Sequence, residues 1–217
     1  EMSMQPQGTP GAGRNLALAT IAFALCFSAW GMLAPIAPGL QDDLGLSSTQ
    51  TAIMISIPVI LGSLLRIPLG LITDRVGGRV VFTGMLFYSA GAAVLVGFAS
   101  SYVALLGAGF LLGAAGASFA VGVPFVAQWY PPKRQGMAIG IYGMGNIGTA
   151  VAAFSVPAIR NASSQIVAGL VFGAVIAAYG LIWLSMAREA PGEKAPPTRY
   201  GEVLGAGWRL WRLALFY

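Results

Sequence analysis

The sequence predicts an all-α integral membrane protein with six spanning helices, and three observations carry that expectation. Of its 217 residues only 9% are charged, 57% are hydrophobic, and histidine is absent. Average soluble domains carry about 25% charged residues, so a water-soluble globule of this size lacks the charge to cover its surface. The few charges are also bunched, and the uncharged runs between them have the length that a bilayer requires. The ~10-residue alternating segments of spanning β-strands do not occur.

Those runs define the elements in order, since a spanning helix needs roughly 20 apolar residues. The 27 residues between Arg14 and Asp42 hold a first helix near 16–38. The 30 between Asp43 and Asp74, interrupted only by Arg66, hold a second near 49–73. The 53 between Arg79 and Lys133 hold two, near 80–99 and 102–126, with a polar break at Ser100–Ser101. The 25 after Arg134 hold a fifth near 136–157, and the 27 between Arg160 and Arg188 a sixth near 165–187. In domain terms, residues 1–14 are expected to be a disordered tail, because EMSMQPQGTPGAG is polar and rich in Gly and Pro. Residues 15–187 are the transmembrane bundle, 188–208 a charged cytoplasmic linker, and 209–217, with WRLALFY, the opening turns of a seventh helix. The chain therefore reads as half of a larger bundle. Its lone Cys26 excludes an intrachain disulfide, and its first apolar run is too long for a cleaved signal peptide.

Basic residues set the expected orientation. With the N-terminus in the cytoplasm, ten of the twelve Lys and Arg fall on the cytoplasmic side; Arg160 lies outside and Arg66 within the membrane. That is the positive-inside bias; the expected location is the cell inner (plasma) membrane. It also accounts for the basic balance without nucleic acid as a partner.

Glycine takes 30 positions, about twice its usual share. In lipid, small residues that admit close backbone approach supply much of the helix packing, as Gly109, Gly113 and Ala117 do at four-residue spacing. Prolines at 35, 38, 58, 68, 124 and 157 lie in or near the spans. Such interruptions are tolerated where neighbours or a water-filled cavity satisfy the freed backbone groups. A body that rocks, or that encloses a polar path, suits this pattern better than a static anchor.

Arg66 is the strongest single signal. It precedes Asp74 by eight residues, which puts it ~12 Å in from the end of its helix at 1.5 Å per residue. Snorkelling to the headgroups is one reading, although the reach is incomplete against a half-thickness of ~15 Å. The other is a site on a cavity or pathway, the default for an intramembrane charge. All seven acidic residues lie in loops or at helix ends, so no carboxylate sits at membrane depth to neutralise it. An uncompensated guanidinium invites an anion, and its planar fork of donors suits a small planar oxyanion. A proton relay of titratable side chains cannot be built from these six helices.

The stretch GIYGMGNIG (140–148) contains Gly143, Gly145 and Gly148 in the dinucleotide-binding spacing. That fingerprint requires a preceding strand and an acidic residue about twenty positions on. Here the stretch lies inside an uncharged span, and no acidic residue occurs between Asp74 and Glu189. Two readings remain. The glycines serve packing alone, or they pack and also admit a ligand. On a regular helix Tyr142, Asn146 and Thr149 share one side, a polar stripe from which Asn146 would donate to an anion held by Arg66.

Residues 70–79, GLITDRVGGR, join the second and third helices. They resemble the G-x-x-x-D-R-x-G-x-R signature of the major facilitator superfamily, whose transporters are built from two six-helix halves. Six helices followed by a charged linker resemble the N-terminal half of that fold. Within the superfamily the finer resemblance is to the nitrate/nitrite porters. GSLLRIPLGLITDRVGGR (62–79) looks like their second helix, AIGIYGMGNIGTAVAAF (138–154) like their nitrate signature, GAAGASFAVG (113–122) like their fourth-helix segment, and LALFY (213–217) like the start of their seventh helix.

The resemblance implies a substrate site of Arg66, Asn146, Phe119, Tyr217 and Gly145, and a gate of Gly70, Asp74, Arg75, Gly78 and Arg79. It implies a C-terminal six-helix half that supplies a second arginine, nitrate and nitrite as substrates, protons as a coupling partner, and the lipid bilayer as the setting. No cofactor, metal or catalytic residue is expected, and no enzyme activity. The expected function is secondary transport of nitrate by alternating access, with proton-coupled import ahead of nitrate/nitrite antiport. The alternatives of another class are a non-transporting scaffold and a redox subunit. The second lacks its parts, with no histidine for haem and one cysteine.

Overall fold

The computed structural model describes residues 9–191. Residues 1–8 of the expected tail, the linker from 192 onward, the expected seventh helix and Tyr217 lie outside the described residues.

Among the described residues six segments are long and apolar enough to cross a bilayer, and none is a strand. The first span is α1 (Ala12–Trp30) followed by α2 (Leu33–Leu44). The second is α3 (Ser48–Val76) and the third α4 (Gly78–Phe98). The fourth comprises α5 (Tyr102–Leu112), a 3₁₀ segment (Gly113–Ala117) and α6 (Ser118–Ala127). The fifth comprises α7 (Pro132–Gly143), a 3₁₀ turn (Met144–Asn146) and α8 (Ile147–Ala162). The sixth is α9 (Gln165–Met186).

Local chemistry explains where the helices start and stop. Ser47 and Gln50 form a reciprocal capping box that opens α3, satisfying two otherwise orphaned backbone donors. The Ser101 and Ser164 hydroxyls accept from the amides of Ala104 at 3.3 Å and Val167 at 3.2 Å, opening α5 and α9. Gly45 closes α2 in the left-handed region at φ 60°, where a Cβ is penalised. The expected loop between the second and third spans shrinks to one residue. Gly77, at φ 108°, turns the chain on its own, and Asp74 and Arg75 belong to α3 rather than to a loop. The first helix begins at Ala12, so the last residues assigned to the 1–14 tail are its first turn.

Packing follows the small residues. A Cβ on Gly169 would lie 2.6 Å from the Gly97 Cα, so α4 and α9 touch through backbone. A Cβ on Gly109 would lie 2.7 Å from Leu33, where the fourth span meets the first, and one on Gly62 would lie 2.8 Å from the Gly113 carbonyl oxygen, where the second meets the fourth. Both glycines expected at four-residue spacing, 109 and 113, thus sit at tight contacts. A buried aromatic cluster of Phe82, Phe125 and Trp183 seals one end, with ring centroids 5.1 and 5.3 Å apart.

The six spans do not bury themselves equally. The second and fifth bury 17% and 28% of their most apolar stretch, against 61% for the fourth. Leu64, Ile67, Met144, Ile147 and Phe154 are exposed on them. These two helices therefore present an apolar face that nothing among the described residues covers.

Replacing Gly169 by Leu should lower the thermal unfolding temperature of the detergent-solubilised protein, as overpacking costs about 1–3 kcal/mol. Gly107→Leu, where a Cβ meets nothing within 4 Å, should leave it within error.

Candidate functional site

Arg66 lies on α3, four residues after Gly62, and lines a cleft of about 90 Å³ with Phe27, Trp30, Val59, Gly62, Ser63 and Gly116. The packing of the second and fourth spans creates this cleft. Without side chains, Gly62 and Gly113 let the two backbones meet, the Gly113 position pressing on the Pro58 carbonyl. The fourth span tightens to 3₁₀ geometry over Gly113–Ala117 beside that contact. Gly116, in the middle of the tightened turn, then faces the cleft. The first span breaks at the same wall: α1 ends at Trp30, and the chain re-forms as a helix only at Leu33.

Among the described residues Arg66 has no hydrogen bond or ion pair. Its helix neighbours Val59, Gly62 and Ser63 share its face toward the cleft. The Trp30 indole lies across Gly116, where a Cβ would be 2.8 Å from Nε1. That nitrogen is buried and has no hydrogen-bond partner, a condition that costs about 1–3 kcal/mol.

An aromatic wall leads away from the cleft. Phe27 sits 5.4 Å from Trp30 and 4.3 Å from Phe23, centroid to centroid. Phe23 in turn packs against Phe119 at 5.5 Å and Tyr142 at 4.8 Å, and Phe119 stacks on Tyr142 at 5.7 Å. Phe119 remains 38% exposed, so one part of it is free while the rest is held by two rings.

The fifth span departs from the sequence expectation. Tyr142 is fully buried and its hydroxyl donates to the Ser118 carbonyl at 2.9 Å. Asn146 is exposed and is absent from the cleft's lining, and Thr149 donates to the Asn146 carbonyl at 2.8 Å. The Tyr142–Asn146–Thr149 stripe is therefore broken. The 3₁₀ turn at Met144–Asn146 advances ~120° per residue rather than ~100°, which rotates Asn146 away from Tyr142. Gly145, expected beside a ligand, is buried against the first span, where a Cβ would meet the Thr20 carbonyl at 2.9 Å and the Phe23 ring. Gly148 likewise presses on the Ala24 backbone. Gly140 and Gly143 face open space.

The signature segment is a joint. The Arg79 amide donates to the Glu189 carboxylate at 2.8 Å, and its guanidinium to the Leu184 carbonyl at 2.6 Å. Trp183 returns a bond from Nε1 to the Arg79 carbonyl at 3.0 Å. Gly78 fits against Phe125, with a Cβ position 2.7 Å from the Phe125 Cβ. Asp74 is half-buried, Arg75 exposed, and Gly70 has nothing within 4 Å of a would-be Cβ. By sequence Glu189 belongs to the charged linker after the sixth span, which hides this role. The signal was its position just past the sixth span, within reach of a helix N-terminus that attracts negative charge. Nearby, Asn15 ties the first span to the end of the sixth, its Oδ1 accepting from the Arg188 amide at 2.9 Å. At the opposite end Arg160 pairs with Asp43, its guanidinium lying over Gly39.

Residues 19–216 match the Major Facilitator Superfamily. A probable nitrate/nitrite antiporter of Thermus thermophilus, NarK1, is 36% identical over 94% of this chain and 49% of its own length. A probable nitrate transporter of Staphylococcus aureus strain MRSA252, NarT, is 34% identical over 94% of this chain and 53% of its own. The chain spans about half the length of the curated relatives it matches. A solved bacterial homologue of the human lysosomal transporter Spinster, in an inward-facing and occupied conformation, superimposes with a TM-score of 0.71 at 22% identity, over 96% of this chain and 50% of that one. This last likeness concerns the fold.

Glu189→Ala should destabilise the solubilised protein by about 1 kcal/mol, the usual worth of a helix-capping acceptor, with Glu189→Gln falling between it and the parent. Thermal unfolding of the three variants checks the order.

Proposed function

The chain belongs to the major facilitator superfamily, and on that premise we propose that it forms the anion-recognising half of a secondary transporter for nitrate, working by alternating access in the cell inner membrane with its N-terminus in the cytoplasm. The observation that carries this reading is Arg66. It stands in mid-span at a cleft and has no partner among the described residues. A small planar oxyanion fits its fork by two parallel hydrogen bonds. Phe119 lies outside the cleft's lining, at the far end of the aromatic wall and partly exposed; in this proposal its exposed part stacks on the planar ion. The names of the relatives support nitrate and nitrite as the substrate class.

In this proposal the apolar face of the second and fifth spans meets a C-terminal six-helix half, which brings a second arginine to the anion. Tyr217 approaches it from the seventh helix. Asn146 turns toward the anion as the 3₁₀ turn at Met144–Asn146 rearranges, and Gly145 lets the fifth span slide on Phe23. Gly70, Asp74, Arg75, Gly78 and Arg79 form the cytoplasmic latch, with Gly77 as its pivot. The direction taken is proton-coupled import. The second reading, exchange of nitrate for nitrite, is favoured by the antiporter name of the Thermus thermophilus relative.

Nitrate uptake into proteoliposomes by the full-length protein should fall to background in Arg66→Ala. It should fall on the order of tenfold or more in Arg66→Lys, since an ammonium keeps the charge and loses the bidentate geometry. Parent-level uptake in Arg66→Ala overturns the proposal. Uptake that rises with an inward proton gradient supports import by symport; uptake that requires internal nitrite and ignores the gradient supports exchange.

A further inference from the structure

The cleft beside Arg66 holds a second donor that the functional reading leaves unused. Trp30 ends α1, at the break before Leu33, and lines the cleft together with Arg66 and Gly116. Its body is anchored on Phe27, yet its Nε1–H is buried and unpartnered. The nitrogen points onto Gly116, the one side of the 3₁₀ segment that carries no side chain. A buried N–H without a partner asks for an explanation; the Trp129 indole N–H is likewise unpartnered, but it is Trp30 that shares a cleft with Arg66. Trp183, by contrast, has its indole N–H satisfied by the Arg79 carbonyl. The difference between the two is location. Trp183 belongs to the sealed aromatic cluster, whereas Trp30 stands at a cleft that Arg66 also lines.

From this we infer that the Trp30 indole N–H is a hydrogen-bond donor to the anion bound at Arg66, turning from Gly116 into the cleft when the anion arrives. This rests on the anion-site reading given above. The chemistry fits: the guanidinium fork occupies one edge of a planar oxyanion and leaves further oxygen lone pairs to satisfy, and a neutral donor satisfies one without adding charge. The geometry supplies the freedom to turn. The helix ends at Trp30 itself, and Gly116 offers the indole a smooth resting place that any larger residue would fill. The rest state leaves the donor unpaired, and the bound state pairs it. The anion therefore stabilises the turned conformation by the bond it makes there, as a ligand must if it is to shift a conformational equilibrium. Trp30 then couples occupancy of the site to the broken segment of the first span.

The test is nitrate binding to the full-length protein in detergent, measured by calorimetry for the parent, Arg66→Ala and Trp30→Phe, with thermal unfolding of each without nitrate. Phe keeps an aromatic body and deletes the N–H. The expected result is a nitrate Kd raised on the order of tenfold in Trp30→Phe, as for one hydrogen bond to a charged group. Its unliganded unfolding temperature should equal or exceed the parent's, because an unsatisfied donor has been removed. An unchanged Kd in Trp30→Phe, with binding lost in Arg66→Ala, overturns the Trp30 assignment and leaves the anion site standing. A lowered unliganded stability with unchanged Kd shows that the N–H serves a protein partner, and overturns it too. Absence of nitrate binding in the parent overturns both. Should Trp30→Phe fail to fold, the indole ¹⁵N–H resonance of Trp30 in the parent is the readout. A nitrate-dependent shift that is lost in Arg66→Ala supports the assignment, and an unmoved resonance at saturating nitrate contradicts it.

Discussion

A guanidinium in the middle of a membrane span is the constraint around which the rest of this bundle is arranged. Insertion scales put such a charge at about 2.5 kcal/mol or more, and none of the described acidic residues is paired with Arg66. Three of the spans also depart from regular α-geometry. The first span breaks at Gly31–Met32, the fourth tightens at Gly113–Ala117 and the fifth at Met144–Asn146. Regular α-geometry is given up within lipid only where protein or a water-filled cavity takes up the freed groups. The glycines at 62, 113 and 116 shape the cleft wall and decide what fits against it.

The two ends of the bundle are fastened in different ways. At one end Arg79, Trp183 and Glu189 bind the start of α4 to the end of α9, while Asn15 holds the first span to Arg188. At the other end Arg160 and Asp43 join the fifth span to the first. Gln165 adds bonds from its side chain to the Val96 and Ala99 carbonyls at 2.7 and 3.1 Å. Together with the Gly97–Gly169 backbone contact, these ties fasten the first, third, fifth and sixth spans to one another. The second and fifth spans keep an apolar face outward. A rigid unit with one free face is what rocking about a central site requires.

The six spans were legible in the sequence because charge is excluded from lipid, so the gaps between charges measure the helices. Arg66 was legible for the same reason, as the one charge inside a gap. What the sequence hid was set by tertiary contact. On a regular helix Asn146 shares a face with Tyr142; the 3₁₀ turn that separates them sits where Gly145 and Gly148 press on the first span. The open side of Gly145 lies against Phe23, a contact no spacing in the sequence announces. Glu189 is not legible in the sequence because its partner, the Arg79 amide, lies 110 positions away. Trp30 carried no sequence signal at all, since only the fold shows an indole N–H with nothing to bind.

The central claim is that a planar anion occupies the cleft between Arg66, Trp30 and Gly116. A density map of the full-length protein in saturating nitrate tests it most directly. The account predicts density for a trigonal ion within hydrogen-bonding distance of the Arg66 guanidinium, on the cleft side of α3. Nitrate resolved elsewhere in the protein, with the Arg66 cleft empty or filled by lipid, would contradict it.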